Sequence, residues 1–264
     1  MLELRNVEKV FNLNTPNEKV ALRDITFNLR PGDFVTIIGS NGAGKSTLLN
    51  VIAGVFSVEK GSIIIDGKNL TNTPEHVRAC LLGRVFQDPL MGTAASMTVE
   101  ENLAIALRRG DRRSLRIGIK KGDRELFRER LAVLGLGLEG RLNEKVGRLS
   151  GGQRQALTLL MATLRKPKIL LLDEHTAALD PKTAEKVLEL TKSLISDQGL
   201  TALMVTHNMA QALQVGNRTF MMDDGKIVLD LYGAARKNTT VDDLLSYFEQ
   251  FRGKKMVNDR VLLA

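Results

Sequence analysis

A glycine-rich segment between a strand-like run and a helix-like run restricts the fold more than any other part of the chain. It reads Gly39-Ser40-Asn41-Gly42-Ala43-Gly44-Lys45-Ser46-Thr47 and follows the apolar run 34–38. Glycines let backbone N–H groups turn inward around a polyphosphate, and the N-terminus of the following helix adds partial positive charge. Strand, loop and helix in this order form the G-x-x-x-x-G-K-[ST] pattern, which predicts a nucleoside triphosphate site in an α/β fold.

The side chains of this phosphate loop (residues 39–47) have separate predicted tasks. Lys45 is placed to reach the β- and γ-phosphates, and the Ser46 hydroxyl is placed to ligate Mg²⁺. We expect the backbone from Ser40 to Thr47 to surround the phosphates. ATP and Mg²⁺ are therefore the predicted cofactors.

A second apolar run ends in two adjacent acids. The run 169–172 is typical of a central parallel strand covered on both faces, and Asp173 and Glu174 follow at its carboxyl end. Ligands of open α/β sheets bind beyond the carboxyl ends of the strands. We therefore predict Asp173 beside the Mg²⁺ and Glu174 in position to polarise an attacking water. The alternative is a strand that merely ends in two solvated acids.

A third motif, Leu149-Ser150-Gly151-Gly152-Gln153, predicts a helix start with Ser150 as N-cap and Gln153 three residues later. Two glycines in a first turn lower helix propensity. We therefore expect this backbone to approach something closely, such as a second phosphate group. A helix cap that tolerates glycine is the alternative.

Composition and charge limit the class of protein. No apolar run among the 264 residues approaches the 18 or so needed to span a membrane, and the start of the chain does not resemble a signal peptide. The single cysteine, Cys80, suits a reducing cytoplasm. The net charge of +8 is concentrated in a basic stretch, residues 108–124. A solvated face and a patch that meets a membrane or partner are the main readings, and nucleic acid is the least favoured.

The predicted secondary structure differs between successive parts of the chain. Residues 1–38 predict strands, residues from about 90 to 165 predict helices, and strands alternate with helices again from 169. Local signals predict a hairpin at 220–229 and helices that begin at Pro74 after a Thr73 cap, at Val99 after a Thr98–Glu101 capping box, at Asp123, at Pro181 after Asp180, and at Val241 after Thr240. The last helix is expected to end near Phe251, with a tail from Gly253.

The phosphate loop, the Leu149–Gln153 motif and the strand ending in Asp173-Glu174 resemble, in this order, the ATP-binding cassette (ABC) ATPases over residues 2–235. The resemblance implies a P-loop NTPase (RecA-like) α/β core with an N-terminal antiparallel β subdomain and an inserted α-helical subdomain. We expect the nucleotide-binding core at 1–88 and 166–235. The helical subdomain with the signature motif then spans 89–165, and a C-terminal helix and tail span 236–264.

The resemblance also implies roles for four further residues. Gln87 matches the glutamine that joins the core to the helical insert and senses Mg²⁺ and nucleotide; a surface glutamine is the alternative. Asp180 matches a loop that crosses the dimer interface, and it also suits a helix N-cap. His207 matches the switch histidine that contacts the γ-phosphate, and Phe11 matches the aromatic placed against adenine. One departure is His175, which stands where many members have proline.

The family pattern implies a two-copy mechanism. Each ATP lies between the phosphate loop of one cassette and the Ser150–Gln153 segment of the other, so one copy cannot build a complete site. We therefore expect a head-to-tail homodimer, or a pair with a closely related subunit. Hydrolysis removes the γ-phosphate that bridges two helix N-termini, and the dimer loosens.

The implied function is to hydrolyse ATP for a membrane transporter, in the manner of importers paired with solute-binding proteins for tryptophan, tyrosine or related small solutes. The partners would be permease subunits, whose coupling helix would meet the insert and residues 88–97, and the solute-binding protein indirectly. We expect a peripheral position on the cytoplasmic face of the cell membrane and no nucleic-acid partner. The alternatives are a soluble mechanochemical ATPase that acts on DNA or ribosomes, and the ATPase of an exporter.

Overall fold

Two β-sheets and the helices around them form the fold in the computed structural model, which describes residues 1–111 and 117–262. Part of the basic stretch, Arg112, Arg113 and Arg116, lies outside the described residues. The strands are β1 (Leu2–Phe11), β2 (Lys19–Leu29), β3 (Phe34–Gly39), β4 (Lys60–Ile65), β5 (Lys68–Asn69), β6 (Leu82–Val85), β7 (Ile169–Asp173), β8 (Thr201–Val205), β9 (Arg218–Asp223) and β10 (Lys226–Tyr232).

The first sheet is antiparallel, with strand order β2-β1-β4-β5. Its inner face carries alternating apolar residues, and Leu2, Leu4 and Val7 of β1 are fully buried. The pairing of β1 with β2 slips between Leu4 and Lys9, and two residues there, Asn6 and Asp24, have left-handed φ angles of 48° and 52°. These irregularities bend the hairpin that ends in Phe11, beside the phosphate loop.

The second sheet has the order β10-β9-β3-β8-β7-β6, and all its strands except β10 are parallel. β8 is buried along its whole length and β7 along all but its last residue, as expected for central strands covered on both faces. Because β3 and β7 are parallel and separated only by β8, Gly39 and Asp173 reach the same edge of the sheet.

The helices are α1 (Lys45–Ala53), α2 (Glu75–Arg78), α3 (Val99–Leu107), α4 (Lys121–Ala132), α5 (Gly151–Thr163), α6 (Pro181–Gln198), α7 (Met209–Gln214), α8 (Gly233–Asn238) and α9 (Val241–Leu262). α3, α4 and α5 share a hydrophobic core that includes Leu103, Phe127, Leu131 and Leu157, all fully buried. The prediction that residues from about 90 to 165 are mainly helical is confirmed.

The predicted caps are confirmed at most helix starts. Thr98 and Glu101 form a capping box, Asp180 accepts a hydrogen bond from the backbone of Thr183, and Thr240 exchanges hydrogen bonds with Asp243 at the start of α9. Such reciprocal bonds satisfy backbone N–H groups that the helix leaves unpaired. Short-range side-chain chemistry therefore determines where these helices begin.

Several element boundaries differ from the prediction. Helix α4 begins at Lys121, not at Asp123, because Asp123 is the third helical residue and its carboxylate accepts a hydrogen bond from the backbone N–H of Lys120 at the cap position. Helix α2 begins at Glu75, not at Pro74, because Pro74 is extended with ψ 155° and itself occupies the cap position. α9 does not end near Phe251 but continues through Gly253 to Leu262, since a single glycine costs only about 1 kcal/mol within a helix. α8 was not predicted. Its Arg236 donates to the carbonyl oxygens of Ala212 and Leu213, a tertiary contact that no local pattern reveals.

Candidate active site

The phosphate loop connects β3 to α1 and depends on glycine for two different reasons. Gly39, Gly42 and Gly44 have φ angles of 151°, 82° and 97°, which side-chain-bearing residues rarely adopt. A Cβ at Gly39 would lie 2.2 Å from the carbonyl oxygen of Met222, and one at Gly44 would lie 2.6 Å from that of Ala21. Gly42 faces open space, so only its backbone conformation requires glycine.

Lys45 places its ammonium group inside this loop. Its Nζ donates to the carbonyl oxygens of Gly39 and Ser40, at 2.9 Å each. Burial lowers the pKa of Lys45, and the charges of Glu174 and Asp173 oppose that shift. The ammonium group of Lys45 therefore places a positive charge in the loop, and its third N–H group can donate to a bound anion.

Ser46 and Asp173 meet at the edge of the sheet, since the Ser46 hydroxyl donates to Oδ1 of Asp173 at 3.2 Å. A hydroxyl and a carboxylate are the hard oxygen donors that Mg²⁺ takes from proteins, alongside water and substrate phosphates. Within residues 1–111 and 117–262, no three His, Cys, Asp or Glu side chains cluster as a metal site. The donor set therefore fits a Mg²⁺ ion that takes most of its ligands from nucleotide and water.

Glu174 lies between the ends of β7 and β8 and contacts His207 directly. His207 Nε2 and Glu174 Oε1 are 2.6 Å apart, and the backbone N–H of Glu174 donates to the carbonyl oxygen of Val205. Glu174 has a left-handed φ of 45°, a strained conformation of the kind found at functional sites. A hydrogen-bonded carboxylate and imidazole beside a phosphate loop can orient a water molecule and accept its proton.

These groups surround one open cavity of about 330 Å³. Its lining combines residues of the phosphate loop, one acid and one aromatic ring, and consists of Phe11, Lys19, Ala21, Asn41, Gly42, Gly44, Lys45, Ser46, Thr47, Glu174 and His207. The edge of Phe56 supports Phe11, with ring centroids 5.2 Å apart. Sequence reasoning missed Lys19 and Ala21, because only the pairing of β1 with β2 brings them to the cavity.

The signature segment Ser150–Gln153 does not line this cavity within the described residues. Ser150 and Gln153 form the predicted capping box at the start of α5. Gly152 does make a close approach, but to its own chain: a Cβ there would lie 2.2 Å from Cγ2 of Thr183 in α6. The sequence suggested a phosphate as the reason for this glycine, whereas packing against α6 already requires it.

Two other predicted residues lie on the surface outside the cavity lining. Asp180 is exposed, and hydrogen bonds from Thr183 lower the pKa of its carboxyl group. Because Thr183 also contacts the signature segment, the starts of α5 and α6 form one continuous surface. Gln87 is exposed and follows β6, the neighbour of β7. The structure therefore brings together Phe11, the phosphate loop, Asp173, Glu174 and His207.

His175, which replaces the proline common in the family pattern, is buried directly behind Glu174. Its Nε2 lies 3.0 Å from Oγ1 of Thr191, and the Thr191 hydroxyl donates to the carbonyl oxygen of Val187. His175 must therefore be the donor to Thr191. Its Nδ1 has no hydrogen-bond partner among the described residues, and burial lowers the pKa of His175 to about 4.

This buried imidazole predicts a pH dependence of folding. The unfolded chain protonates His175 near pH 6.5 and the folded chain near pH 4, so between these values only the unfolded chain binds the proton. The free energy of unfolding should fall by about 3 kcal/mol as the pH falls through this window. Above pH 6.5 His175 is neutral in both states, so it adds no further pH dependence there. Denaturant titrations of wild type and His175→Met at pH 7.5 and 4.5 measure the difference. Equal pH dependence of the two proteins would contradict the prediction.

Comparison with known proteins agrees with this geometry. The family model described as "ABC transporter" matches residues 22–177. The chain belongs to the ABC transporter family. Within that family it is an ATP-binding subunit, an ATPase that powers transport. Its fold is that of a P-loop NTPase cassette.

Among curated proteins, this cassette is 44% identical to a tyrosine transport ATP-binding protein of Clostridioides difficile, over 94% of this chain and 99% of that protein. It is 35% identical to a spermidine/putrescine import ATP-binding protein of Spiroplasma citri, over 86% of this chain and 60% of that protein. The chain thus spans less than two thirds of the polyamine relative.

Solved cassettes share the whole architecture. A dimeric cassette in a post-hydrolysis state with ADP and Pi has a TM-score of 0.75 and 32% identity, covering 88% of this chain and 98% of its own. The ADP conformation of another ABC transporter cassette has a TM-score of 0.76 and 28% identity, covering 94% of this chain and 98% of its own. Within the described part of the ABC subunit, no helix has the length and hydropathy to cross a bilayer.

Proposed function

We propose that this ABC subunit hydrolyses ATP with Mg²⁺ to drive import of a small solute, with tyrosine or a related amino acid as the first candidate. The observation that carries the catalytic part is the convergence of Lys45, the Ser46–Asp173 pair and the Glu174–His207 pair on one cavity. The similarity to a tyrosine transport ATP-binding protein over nearly the full length of both chains supports the substrate class.

Each residue of the cavity has a role in this proposal. Phe11 stacks on the adenine, and the loop amides from Ser40 to Thr47 hold the phosphates. Lys45 moves its third N–H group to the β- and γ-phosphates. Glu174 orients the attacking water, and His207 contacts the γ-phosphate while it keeps Glu174 in place. Phosphoryl transfer depends mainly on this positioning and on charge stabilisation.

The Ser46 hydroxyl and the Asp173 carboxylate, directly or through water, would hold Mg²⁺, and Gln87 would complete its surroundings from the end of β6. Bound there, Mg²⁺ would neutralise negative charge that develops on the phosphates during transfer. The side chains of Ser46 and Asp173 are already in contact, so little rearrangement of the protein is needed to receive the ion.

We further propose that a second copy completes the site. The cavity is open, and Ser150, Gly151 and Asp180 are exposed elsewhere on the chain. A head-to-tail pair would bring the N-terminus of α5 of one copy to the γ-phosphate bound by the other. The dimeric cassette with ADP and Pi, to which this chain is similar, is a precedent for such pairing.

The permease would dock on the helical side of the cassette, which we assign to residues 89–165 between core segments 1–88 and 166–235. A groove of about 1410 Å³ there includes Gly92, Met97, Ile105 and Met161 in its lining. The segment 88–97 is held in place locally, because Asp88 caps a short 3-10 helix and Asn102 bonds both backbone groups of Ala94. A preformed groove suits a partner helix because little ordering is required on binding.

Docking on the permease would hold the subunit at the cytoplasmic face of the membrane. The described members of the basic stretch mostly pair within the chain: Arg124 bonds Glu100 at 2.7 Å, Arg108 contacts Asp123 at 3.1 Å, and Arg109 bonds backbone carbonyls. These pairs favour the solvated-face interpretation over direct contact with lipid headgroups for those members. We propose no nucleic-acid partner.

Reconstitution tests the transport proposal. The subunit is combined in liposomes with the permease that co-purifies with it and with that permease's solute-binding protein, and ATP hydrolysis and uptake are measured with tyrosine, tryptophan or spermidine. We expect an amino acid, delivered by the binding protein, to stimulate hydrolysis severalfold and to accumulate inside. The Glu174→Gln subunit should abolish both signals. Outward movement of substrate would favour an exporter, and full activity without any membrane partner would favour a soluble mechanochemical ATPase.

A further inference from the structure

Arg84 of β6 is a largely, but not fully, buried arginine beside the proposed metal edge. Its Nη2 donates to Oδ1 of Asn50 in α1 at 2.6 Å and lies 3.9 Å from Oδ2 of Asp173. Its guanidinium also lies over the ring of Phe86, 4.4 Å from the centroid. The side chains of Arg84 and Asp173 are each only 15% exposed, so solvent screens this charge pair less than a surface pair.

The two oxygens of Asp173 therefore face different partners. Oδ1 accepts the hydroxyl of Ser46, and Oδ2 faces the guanidinium of Arg84. The distance of 3.9 Å is too long for a hydrogen bond, so the attraction is purely between charges. Burial lowers the pKa of Arg84, which the charge of Asp173 opposes. Arg84 thus holds a mostly desolvated charge whose Nε has no hydrogen-bond partner among the described residues and whose nearest carboxylate is Asp173.

We propose that Arg84 is a positioning residue that competes electrostatically with Mg²⁺ for Asp173 and thereby weakens the affinity of the cassette for the ion. The inference rests on the proposed Mg²⁺-ATP site. Two cations that share one carboxylate repel each other, and the repulsion is strong where little water lies between them. Arg84 thus balances the charge of Asp173 before the ion arrives and favours release of the ion after hydrolysis.

Arg84 connects the proposed metal site to the groove on the helical side. Arg84 also lines the large groove on the helical side, and three residues later the same segment reaches Gln87. If a partner that binds near Arg84 changes the affinity for Mg²⁺, then bound Mg²⁺ must change the affinity for that partner by the same factor. A partner in the groove that draws Arg84 away from Asp173 would therefore tighten Mg²⁺ binding.

Nucleotide binding in the absence of turnover tests the competition. The probe is a fluorescent, non-hydrolysable β,γ-imido ATP analogue, and its Kd is measured in EDTA and at saturating free Mg²⁺. The Kd in EDTA divided by the Kd at saturating Mg²⁺ measures how strongly the ion favours nucleotide binding. We expect Arg84→Met, which removes the charge at similar volume, to increase this ratio in favour of Mg²⁺ by about 3- to 10-fold. Arg84→Lys, which retains the charge, should stay within about twofold of wild type.

Arg109→Met is the matched control, since Arg109 lines the same groove and is likewise partly buried, but its guanidinium bonds the carbonyl oxygens of Ala162 and Arg165 and no carboxylate among the described residues. It should leave the ratio unchanged. If Arg84→Met does not fold, Arg84→Gln takes its place, because it also removes the charge but keeps a polar end group. An unchanged or decreased ratio in the neutral variants, or a Lys variant that behaves like them, overturns the inference alone. A wild-type protein that does not bind the analogue overturns the proposed site as well.

Discussion

Glu174→Gln should lower kcat for ATP hydrolysis by about 10²- to 10⁴-fold, the usual contribution of a positioned general base. The amide has the size of the carboxylate and can still accept a hydrogen bond from His207, which lies 2.6 Å from Oε1. ATP binding should therefore persist while the water is no longer activated. In the proposed two-copy site, the γ-phosphate that is not hydrolysed would continue to bridge the two copies, so the variant should accumulate as a dimer.

Steady-state hydrolysis together with light scattering, with and without ATP and Mg²⁺, measures both effects. Wild type should hydrolyse ATP with positive cooperativity, and only the variant should form a persistent dimer. Glu185→Gln is the matched control, because Glu185 is an exposed residue of α6 outside the cavity lining. Near-normal turnover of Glu174→Gln would refute the role of Glu174, and a variant that stays monomeric with ATP and Mg²⁺ would refute the two-copy site.

Lys45→Met should weaken ATP binding by about 10- to 150-fold, which corresponds to the 1.5–3 kcal/mol of a hydrogen bond to a charged group. Methionine fills the same space without the charge that Lys45 places beside Gly39 and Ser40. The Kd of a fluorescent ATP analogue measures the loss. Lys192→Met, on the exposed face of α6, should bind like wild type.

The structural cost of this substitution must be separated from the binding effect. Lys45 also bonds two carbonyl oxygens of the loop, so the melting temperature of both variants is compared without nucleotide. We expect the binding loss to exceed any change in stability, because Lys45 itself lines an open cavity, where water can replace its ammonium group. A Lys45→Met protein that is folded and binds ATP normally would contradict the assignment.

Much of the catalytic edge could be predicted from local order along the chain. A glycine loop must follow a strand and precede a helix in order to bind phosphates, and parallel strands end at one edge, so Ser46 and Asp173 were expected to meet. They are 3.2 Å apart. The helix caps at Thr98 and Ser150 were predictable for the same reason, since the bonding groups are three residues apart.

Long-range contacts were beyond such reasoning. Nothing near Gly152 in the sequence indicates Thr183, whose side chain leaves no space for a Cβ. Lys19 reaches the cavity only through pairing with Phe11, and Arg84 faces Asp173 only because β6 pairs with β7. α8 likewise depends on Arg236, which bonds carbonyl groups at the end of α7.

The sequence by itself determined the phosphate loop, the acids at the end of β7, the caps and the family, because each depends on residues adjacent in the chain. Only the tertiary structure decided which charges share Asp173, why His175 is buried and neutral, and which residues complete the cavity. Charge pairing and desolvation depend on distances between residues far apart in the chain, and those distances exist only after the sheet has formed.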